Sequence, residues 1–335
     1  MSVFVAVDVG YGVTKIATDH GRNSILSLVA PDTERQKLTV DFGFRKIAKP
    51  YERITVNGKS YFVGESASNH APDLVRQNRD QKRIFGDDYA TLIASALLSM
   101  DIDDAEEIFL FLDLPLSELE DNQTKLRKEY KGKVLDIVDA KENKKKYTLS
   151  KVSVIGQGVA ALYSHLNENE IMNGSYAVIE IGSRTTDFAV YKNMELLEGQ
   201  YGSIDSAMLQ IIDEFTRKAE SAHVMMDFTF ADQLIRNYEI TKSIIVKSEE
   251  GQQIDLTSTF KAIVESVCIH TLNRVIPRFK NITRLDGIVI AGGGAKLFYP
   301  YIFDMIGSKT ELSIAQDPQY ANAVGALRIA HLRWD

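Results

Sequence analysis

The sequence is poor in cysteine and tryptophan, with one of each in 335 residues, and it has no long uninterrupted apolar run. A single cysteine, Cys268, cannot form an internal disulfide, so a reducing cytoplasm is the expected location. No stretch approaches the roughly twenty apolar residues that a membrane helix needs. The first apolar run follows no basic region and is interrupted by Asp8, which argues against a signal peptide. We therefore expect a soluble cytoplasmic protein without a membrane partner.

An excess of basic residues is also missing. The chain has 39 Lys and Arg against 46 Asp and Glu, which gives a net charge of −7 and argues against direct binding of nucleic acid. Apolar residues make up 44% and charged residues 25%, as in ordinary globular proteins. A chain of this length exceeds the size at which one core usually keeps growing, so two domains are expected.

The most informative stretch is residues 178–190, in which two apolar runs flank the polar turn Gly182–Thr186. This pattern predicts a strand, a tight connection and a second strand. Glycine without a Cβ lets a ligand approach the backbone, and the turn hydroxyls and N–H groups suit phosphate oxygens. A phosphate-binding turn and an ordinary surface hairpin are both compatible with this stretch alone.

The same pattern occurs at residues 3–17. Asp8, Gly10 and Thr14 correspond to the later Glu180, Gly182 and Thr186 at a constant offset of 172 residues (180 minus 8). The chain therefore looks like two diverged copies of one domain plan. Two such acid-x-Gly hairpins suggest that two domains close on one phosphate chain, each with one hairpin.

A third glycine-rich feature follows the predicted strand at residues 287–291. Gly292, Gly293 and Gly294 would let the backbone approach a flat or charged ligand at the carboxyl end of that strand. On its own, a triple glycine more often marks a plain loop than a binding site. Its place after two acid-x-Gly hairpins makes the ligand-binding interpretation more specific.

Other local patterns predict the connecting elements. Helical spacing indicates helices at 89–100 and 256–279, and Asn57-Gly58 predicts a type I′ hairpin. A strand end and turn are expected at 198–202, followed by a helix capped within Ser203–Asp205. The remaining feature is a lysine group, interpreted as a solvated turn or alternatively as a contact for an acidic partner: Lys141, Lys144, Lys145 and Lys146.

Taken in order, five motifs resemble the nucleotide-binding elements of the actin, sugar-kinase and heat-shock-chaperone superfamily: Asp8-x-Gly10-x-Gly12 with Lys15, Gln157-Gly158, Glu180-x-Gly182 to Asp187, Gly292 to Ala295, and Ala321 to Gly325. Within it the chain most resembles prokaryotic actin-like proteins of the ParM/StbA plasmid-segregation type and their archaeal relatives. Three secondary matches support this, namely Leu114–Glu118, Tyr201–Ser203 and Gln319-Tyr320. The resemblance covers essentially the whole chain.

This resemblance implies an α/β, actin-like (ribonuclease H-like) duplicated two-domain fold, with mixed sheets flanked by helices and a nucleotide in the interdomain cleft. Residues 1–160 plus 321–335 would form actin-like domain I, and residues 161–320 would form actin-like domain II. The helices that follow Gln157 and begin at Ala321 would connect the two domains.

The resemblance also implies roles in binding and hydrolysing Mg-ATP. Asp8 and Glu180 would hold hydrated Mg²⁺ through water, as this cation often retains waters, and Gln157 would orient the attacking water. These two carboxylates and Gln157 are the expected catalytic residues. The expected ATP-binding residues form two phosphate loops and an adenosine contact: Gly10, Tyr11, Gly12, Thr14 and Lys15; Gly182, Ser183, Arg184, Thr185 and Thr186; Gly292, Gly293, Gly294 and Ala295.

The sequence departs from the family at two of these positions. Glu180 stands where the family usually has Asp, and a shift of a metal-bound water by about an ångström can lower a rate about a hundredfold. Arg184 stands where Gly is common, and it could clamp a phosphate or pair with an acid. Slow hydrolysis is therefore expected.

The function implied is an ATPase that polymerises with itself when ATP closes the cleft and whose filaments weaken on hydrolysis. Plasmid or DNA segregation, through a DNA-binding adaptor, and a prokaryotic cytoskeleton are the expected settings. A small-molecule kinase is the main alternative, although no convincing Asp base is present. A chaperone ATPase would need a substrate domain, and a scaffold would follow if Glu180 disables the site. Loops 31–49 and 76–88 are candidate filament contacts.

Overall fold

The computed structural model describes residues 2–33, 49–76, 84–103, 107–248 and 250–334. The chain divides into unit 1, residues 1–164 with 322–335, and unit 2, residues 165–321. Unit 1 extends four residues beyond the expected end of domain I at 160, and its boundary lies within the helix Val159–His165.

Unit 1 contains a mixed sheet and helices. Its strands are β1 Ser2–Val9, β2 Val13–Thr18, β3 Gly21–Leu26, β4 Val29–Pro31, β5 Arg53–Val56, β6 Lys59–Val63, β7 Glu107–Leu114, β8 Val134–Val138 and β9 Lys144–Gly156. Its helices before the first boundary are α1 Glu65–His70, α2 Asp87–Ser99, α3 Leu116–Tyr130 and α4 Val159–His165.

Unit 2 has a smaller sheet and longer helices. Its strands are β10 Ser175–Ile181, β11 Thr186–Lys192, β12 Glu195–Ile204, β13 Ile245–Lys247, β14 Gln253–Asp255, β15 Gly287–Ala291 and β16 Leu312–Ile314. Its helices are α5 Glu168–Asn173, α6 Met208–Glu220, α7 Phe228–Thr241, α8 Thr257–Val275 and α9 Ala295–Ile306, after which α10 Ala321–Trp334 leads back into unit 1.

The two sheets share a strand order. In unit 1 the order is β3-β2-β1-β7-β9-β8-β5-β6-β4, and in unit 2 it is β12-β11-β10-β15-β16. In each sheet the first strand pairs antiparallel with the second and parallel with a later strand. The first five strands of the unit 1 order therefore repeat the plan of the unit 2 sheet.

Register shows the same duplication. Asp8 lies opposite Lys15 in the first hairpin, and Glu180 lies opposite Asp187 in the second. The partners are again 172 residues apart (187 minus 15), so the offset found in the sequence is kept across the strand pairs. The duplicated actin-like α/β fold with mixed sheets and flanking helices is confirmed.

Burial of apolar side chains explains how each unit is held together. In unit 1, the sequence of α2 is apolar on nearly every face. The helix is accordingly buried along most of its length and contacts β1, β2 and β5. In unit 2, α6 is amphipathic and buries Leu209, Ile212 and Phe215 against a core shared with α8. None of the helices in the described part of the chain combines the length and apolarity needed to cross a bilayer.

Two local predictions were wrong around residue 200. The segment 198–202 is not a turn, because β12 continues through it and Gly199, with φ of 71°, lies at an irregularity in the register with β11. Ser203 and Ile204 belong to the same strand rather than to a helix cap. Helix α6 begins at Met208 without a side-chain cap, and Leu209 N–H donates to Ser183 O instead.

The lysine group was also placed wrongly, since three of its members begin β9 and only Lys141 lies in the turn. The side chain of Asp139 closes this turn by accepting from the N–H groups of Lys141 and Asn143. Asn57-Gly58 forms the expected hairpin, with φ of 49° and 82°. The two loops predicted as filament contacts fall mostly at 34–48 and 77–83, outside the described residues.

Candidate functional site

In unit 1, three polar side chains lie at the carboxyl ends of adjacent parallel strands. Asp8 is near the end of β1, Asp113 is near the end of β7, and Gln157 directly follows β9. Because β1, β7 and β9 run parallel, their carboxyl ends meet at one edge of the sheet. This edge is where α/β sheets commonly bind ligands.

These side chains contact one another and Lys15. Lys15 Nζ lies 2.8 Å from Asp8 Oδ2, and Gln157 Nε2 lies 3.3 Å from Asp8 Oδ1 and 3.3 Å from Asp113 Oδ1. Asp8 is only 2% exposed, Asp113 4% and Gln157 9%. A charge buried this deeply requires pairing and hydrogen bonds, and Lys15 and Gln157 provide both to Asp8.

The turn between β1 and β2 is tight and anchored from one side. A Cβ at Gly10 would lie 2.6 Å from Val13 O, so the turn has room only for glycine at this position. The Tyr11 hydroxyl donates to Glu118 Oε1 at 2.9 Å, and Glu118 is buried in the first turn of α3. The Tyr11 side chain therefore fixes the turn to α3.

Two threonines that were predicted to bind ATP make side-chain hydrogen bonds within the fold. Thr14 Oγ1 lies 2.8 Å from Ser27 Oγ, and Thr186 Oγ1 donates to Ser206 O at 2.8 Å. Both threonines are buried, at equivalent positions of β2 and β11. Their side chains thus hold each second strand in place, which leaves the turn backbone as the ligand-facing part.

The unit 2 turn has the same construction. Gly182 N–H donates to Thr185 O at 2.9 Å and closes the turn after β10. Thr185 Oγ1 donates to Asp187 Oδ2 at 2.7 Å, and Asp187 lies opposite Glu180 in the strand register. Both carboxylates are buried at the end of this hairpin.

Arg184 pairs with an acid, one of the two alternatives left open by the sequence. Its Nε lies 3.0 Å from Asp205 Oδ1. The Asp205 side chain is 68% exposed, so this pair contributes little stability. In the structure, the Arg184 guanidinium is engaged by Asp205 at the loop that joins β12 to α6.

The triple glycine lies beside this second turn. Gly292, with φ of 86°, donates its N–H to Pro318 O, and Gly294 donates to Ile181 O at 3.1 Å. Gly293 is exposed between its two buried neighbours, and a Cβ there would have nothing within 4 Å. Packing therefore requires glycine at 292. At 293 packing would allow a side chain, and glycine there leaves an open strip of backbone. Ala295 is buried and begins α9.

Each of the two hairpins has a buried carboxylate of a kind that suits a hydrated cation. The described residues contain no group of three or more His, Cys, Asp or Glu side chains arranged to hold a metal. Mg²⁺ needs only one or two carboxylates when waters and phosphates complete its shell. The oxygens of Asp8 already contact Lys15 and Gln157, which favours contact through water over direct ligation.

Three residues beside the two turns were missing from the sequence-based site: Asp113 and Glu118 in unit 1, and Asp205 in unit 2. Asp113 directly precedes the motif Leu114–Glu118 and Glu118 is its last residue, so a signal was present. Recognising Asp113 required the knowledge that β7 lies between β1 and β9. Recognising Asp205 required the Arg184 contact.

Two units with one strand order, each with an acid–glycine turn after its first strand, define the class of actin-like nucleotide-binding folds. The N-terminal domain of actin-like proteins matches residues 6–159, and the C-terminal domain of the archaeal MreB-like actin homologue matches residues 178–302. The two matches together cover most of the chain, which is therefore built from the two domains of an actin-like protein.

Individual relatives agree with this assignment. An archaeal actin homolog from Thermoplasma volcanium is 25% identical over 335 residues, with 96% of this chain and 97% of the relative covered. The crystal structure of Ta0583, an archaeal actin homolog in complex with ADP, has a TM-score of 0.81 at 22% identity, with 98% and 99% covered. A 15-stranded ParM filament from Clostridium botulinum has a TM-score of 0.78 at 21% identity, with 99% of both chains covered.

Proposed function

We propose that this protein is an actin-like ATPase that binds Mg-ATP with the turns of both units and polymerises into filaments. The observation that carries the proposal is the pair of acid–glycine hairpins in equivalent register, with Lys15 and Gln157 gathered around Asp8 in the first of them. The solved relatives, one in complex with ADP and one a filament, support nucleotide binding and self-association.

The proposed reaction is transfer of the terminal phosphoryl group to water, which depends on positioning and charge stabilisation. The N–H groups of the turns at 10–12 and 182–185 would bind phosphate oxygens, and Lys15 would offset their charge. When bound, Mg²⁺ supplies positive charge on the phosphates, and Asp8 and Glu180 would hold its waters. Gln157 would orient the attacking water. We propose slow turnover because Glu180 is one methylene longer than the usual Asp.

The proposal extends to the cellular role. We propose a cytoplasmic filament that serves a prokaryotic cytoskeleton or the segregation of plasmid or other DNA. The net charge of −7 supports recruitment of DNA through a basic adaptor rather than by direct contact.

Sedimentation at high speed tests this function. Purified protein is pelleted with Mg²⁺ and ATP, ADP or no nucleotide, and phosphate release is followed in the same tubes. We expect ATP-dependent pelleting accompanied by phosphate release. Protein that stays in the supernatant at all concentrations, and turns over only when sugars or other acceptors are added, would instead establish a small-molecule kinase.

Gly293→Ala tests the open backbone strip at the proposed adenosine contact. A Cβ at 293 meets nothing within 4 Å, so the free energy of unfolding should change by no more than about 0.5 kcal/mol. If the nucleotide lies against this backbone, the added methyl should weaken ATP binding by about tenfold, which is about 1.4 kcal/mol. Fluorescent-nucleotide titration measures the affinity. Unchanged affinity would place the adenosine elsewhere.

A further inference from the structure

The side-chain amide of Gln157 lies between two buried carboxylates. Its Nε2 is 3.3 Å from Asp8 Oδ1 and 3.3 Å from Asp113 Oδ1. An ionised carboxylate only accepts hydrogen bonds, and a glutamine amide has one donating and one accepting end. Only the NH₂ group can therefore face both acids, with one N–H for each.

This arrangement settles which way the amide points. A flipped amide would set the Oε1 lone pairs of Gln157 against both carboxylates, in a place that water cannot screen because all three residues are buried. Oε1 is consequently directed away from Asp8 and Asp113. It is the end of the side chain that can accept a hydrogen bond from a water molecule.

The backbone holds Asp113 and Gln157 in this relation. Gln157 N–H donates to Leu114 O at 2.8 Å, and Asp113 lies opposite Ile155 in the parallel pairing of β7 with β9. Both side chains therefore project from the ends of neighbouring strands. Lys15 binds Oδ2 of Asp8, whereas Gln157 contacts Oδ1, so the amide and the ammonium use different oxygens of Asp8.

We propose that Asp113 is a positioning residue for ATP hydrolysis: it holds the Gln157 amide so that Oε1 accepts a hydrogen bond from the attacking water and orients it. This inference rests on the proposed ATPase function. Asp113 acts on the reaction through its contact with Gln157. Its loss therefore slows the hydrolytic step, in which water must be oriented, and leaves ATP binding largely intact.

Asp113→Asn is the first test, because the new amide can donate to Gln157 Oε1 and so makes the flipped orientation less costly, with only the Asp8 carboxylate left to oppose it. We expect kcat for phosphate release to fall about tenfold while the Kd for ATP changes less than about twofold. In a Gln157→Ala background, the same substitution should cause no further loss of kcat, because residues that act as a unit are not additive.

A second variant and a control separate positioning from stability. Asp113→Leu removes the carboxylate without adding a donor, so Gln157 Oε1 gains no new partner and its Nε2 still donates to Asp8. Its kcat should therefore lie between those of the wild type and D113N. The control is Asp139→Asn, which removes the charge of another buried aspartate of unit 1. Asp139 closes the β8–β9 turn, so this variant should leave kcat unchanged.

The outcomes separate a failure of the proposed ATPase function from a failure of the role proposed for Asp113. A wild type that binds no ATP or releases no phosphate overturns the proposed function, and the role of Asp113 with it. A wild type that hydrolyses ATP while D113N and D113L retain full kcat overturns the role of Asp113 alone. An equal further loss of kcat when D113N is added to Gln157→Ala would also overturn it.

Discussion

Replacing Gly325 with alanine is expected to destabilise the protein by about 3 kcal/mol or more. A Cβ at this position of α10 would lie 1.7 Å from the carbonyl oxygen of Ala160 and 2.5 Å from its carbonyl carbon, both in α4. These are backbone atoms, so no side-chain rotation can relieve the overlap. The two helices would have to separate.

Helix propensity favours the opposite result, which makes the sign of the effect informative. Alanine in a helix interior is about 1 kcal/mol better than glycine. Ordinary contact begins near 3.4 Å, so α10 would have to move by more than an ångström. That movement would open the apolar cluster that Ala160 forms with Ala326 and Ala330. We therefore expect the clash to outweigh the gain in propensity.

Urea unfolding followed by circular dichroism measures this difference. Gly293→Ala is the matched control, because the same methyl is added where nothing lies within 4 Å. The control should unfold at the wild-type midpoint, and Gly325→Ala well below it. A Gly325→Ala protein as stable as the wild type would show that α4 and α10 do not pack this closely in solution.

The sequence predicted those parts of the fold that depend on local pattern and on internal repetition. Asp8 and Glu180 stand out because each precedes a glycine turn between apolar runs, and the offset of 172 residues repeats in the strand register. Asn57-Gly58 favours a tight hairpin turn through its local backbone preferences, so this turn could be predicted without knowledge of distant contacts.

The parts that were missed depend on contacts between residues far apart in the chain. Asp113 matters because the strand order places it beside Gln157, which is 44 residues away, and Glu118 because Tyr11 reaches it across 107 residues. Gly199 resembles a turn glycine, but pairing with β11 keeps the chain extended on both sides of it. In each case tertiary pairing decided between locally reasonable alternatives.

Helix α9 shows a second reason why local sequence preference does not determine the fold. Its sequence begins with buried Ala295 and contains Pro300, a residue that usually ends a helix. The helix persists because its apolar side, with Phe298 and Ile302, is buried in the unit 2 core. Burial in the core thus overrides the local preference, as is common for helices of marginal propensity.

Lys15→Met is expected to lower the free energy of unfolding by about 3 kcal/mol, because it leaves the Asp8 carboxylate buried without its cation. The Lys15 ammonium lies 2.8 Å from Asp8 Oδ2, and the Asp8 side chain is only 2% exposed. Gln157 still donates one N–H to Asp8 in this variant, but a neutral donor does not balance a buried charge. Urea unfolding without nucleotide measures the loss.

The double variant Asp8→Asn with Lys15→Met decides the cause of that loss. If the uncompensated charge is responsible, removing it as well should restore stability to within about 1 kcal/mol of the wild type, since replacing both partners of a buried pair is often close to neutral. If Lys15 instead stabilises unit 1 through packing of its aliphatic chain, methionine should replace it well and the single variant should lose little. A double variant less stable than Lys15→Met would contradict both accounts, and would mean that the Asp8 carboxylate stabilises the first hairpin through its bond to Gln157 rather than through Lys15.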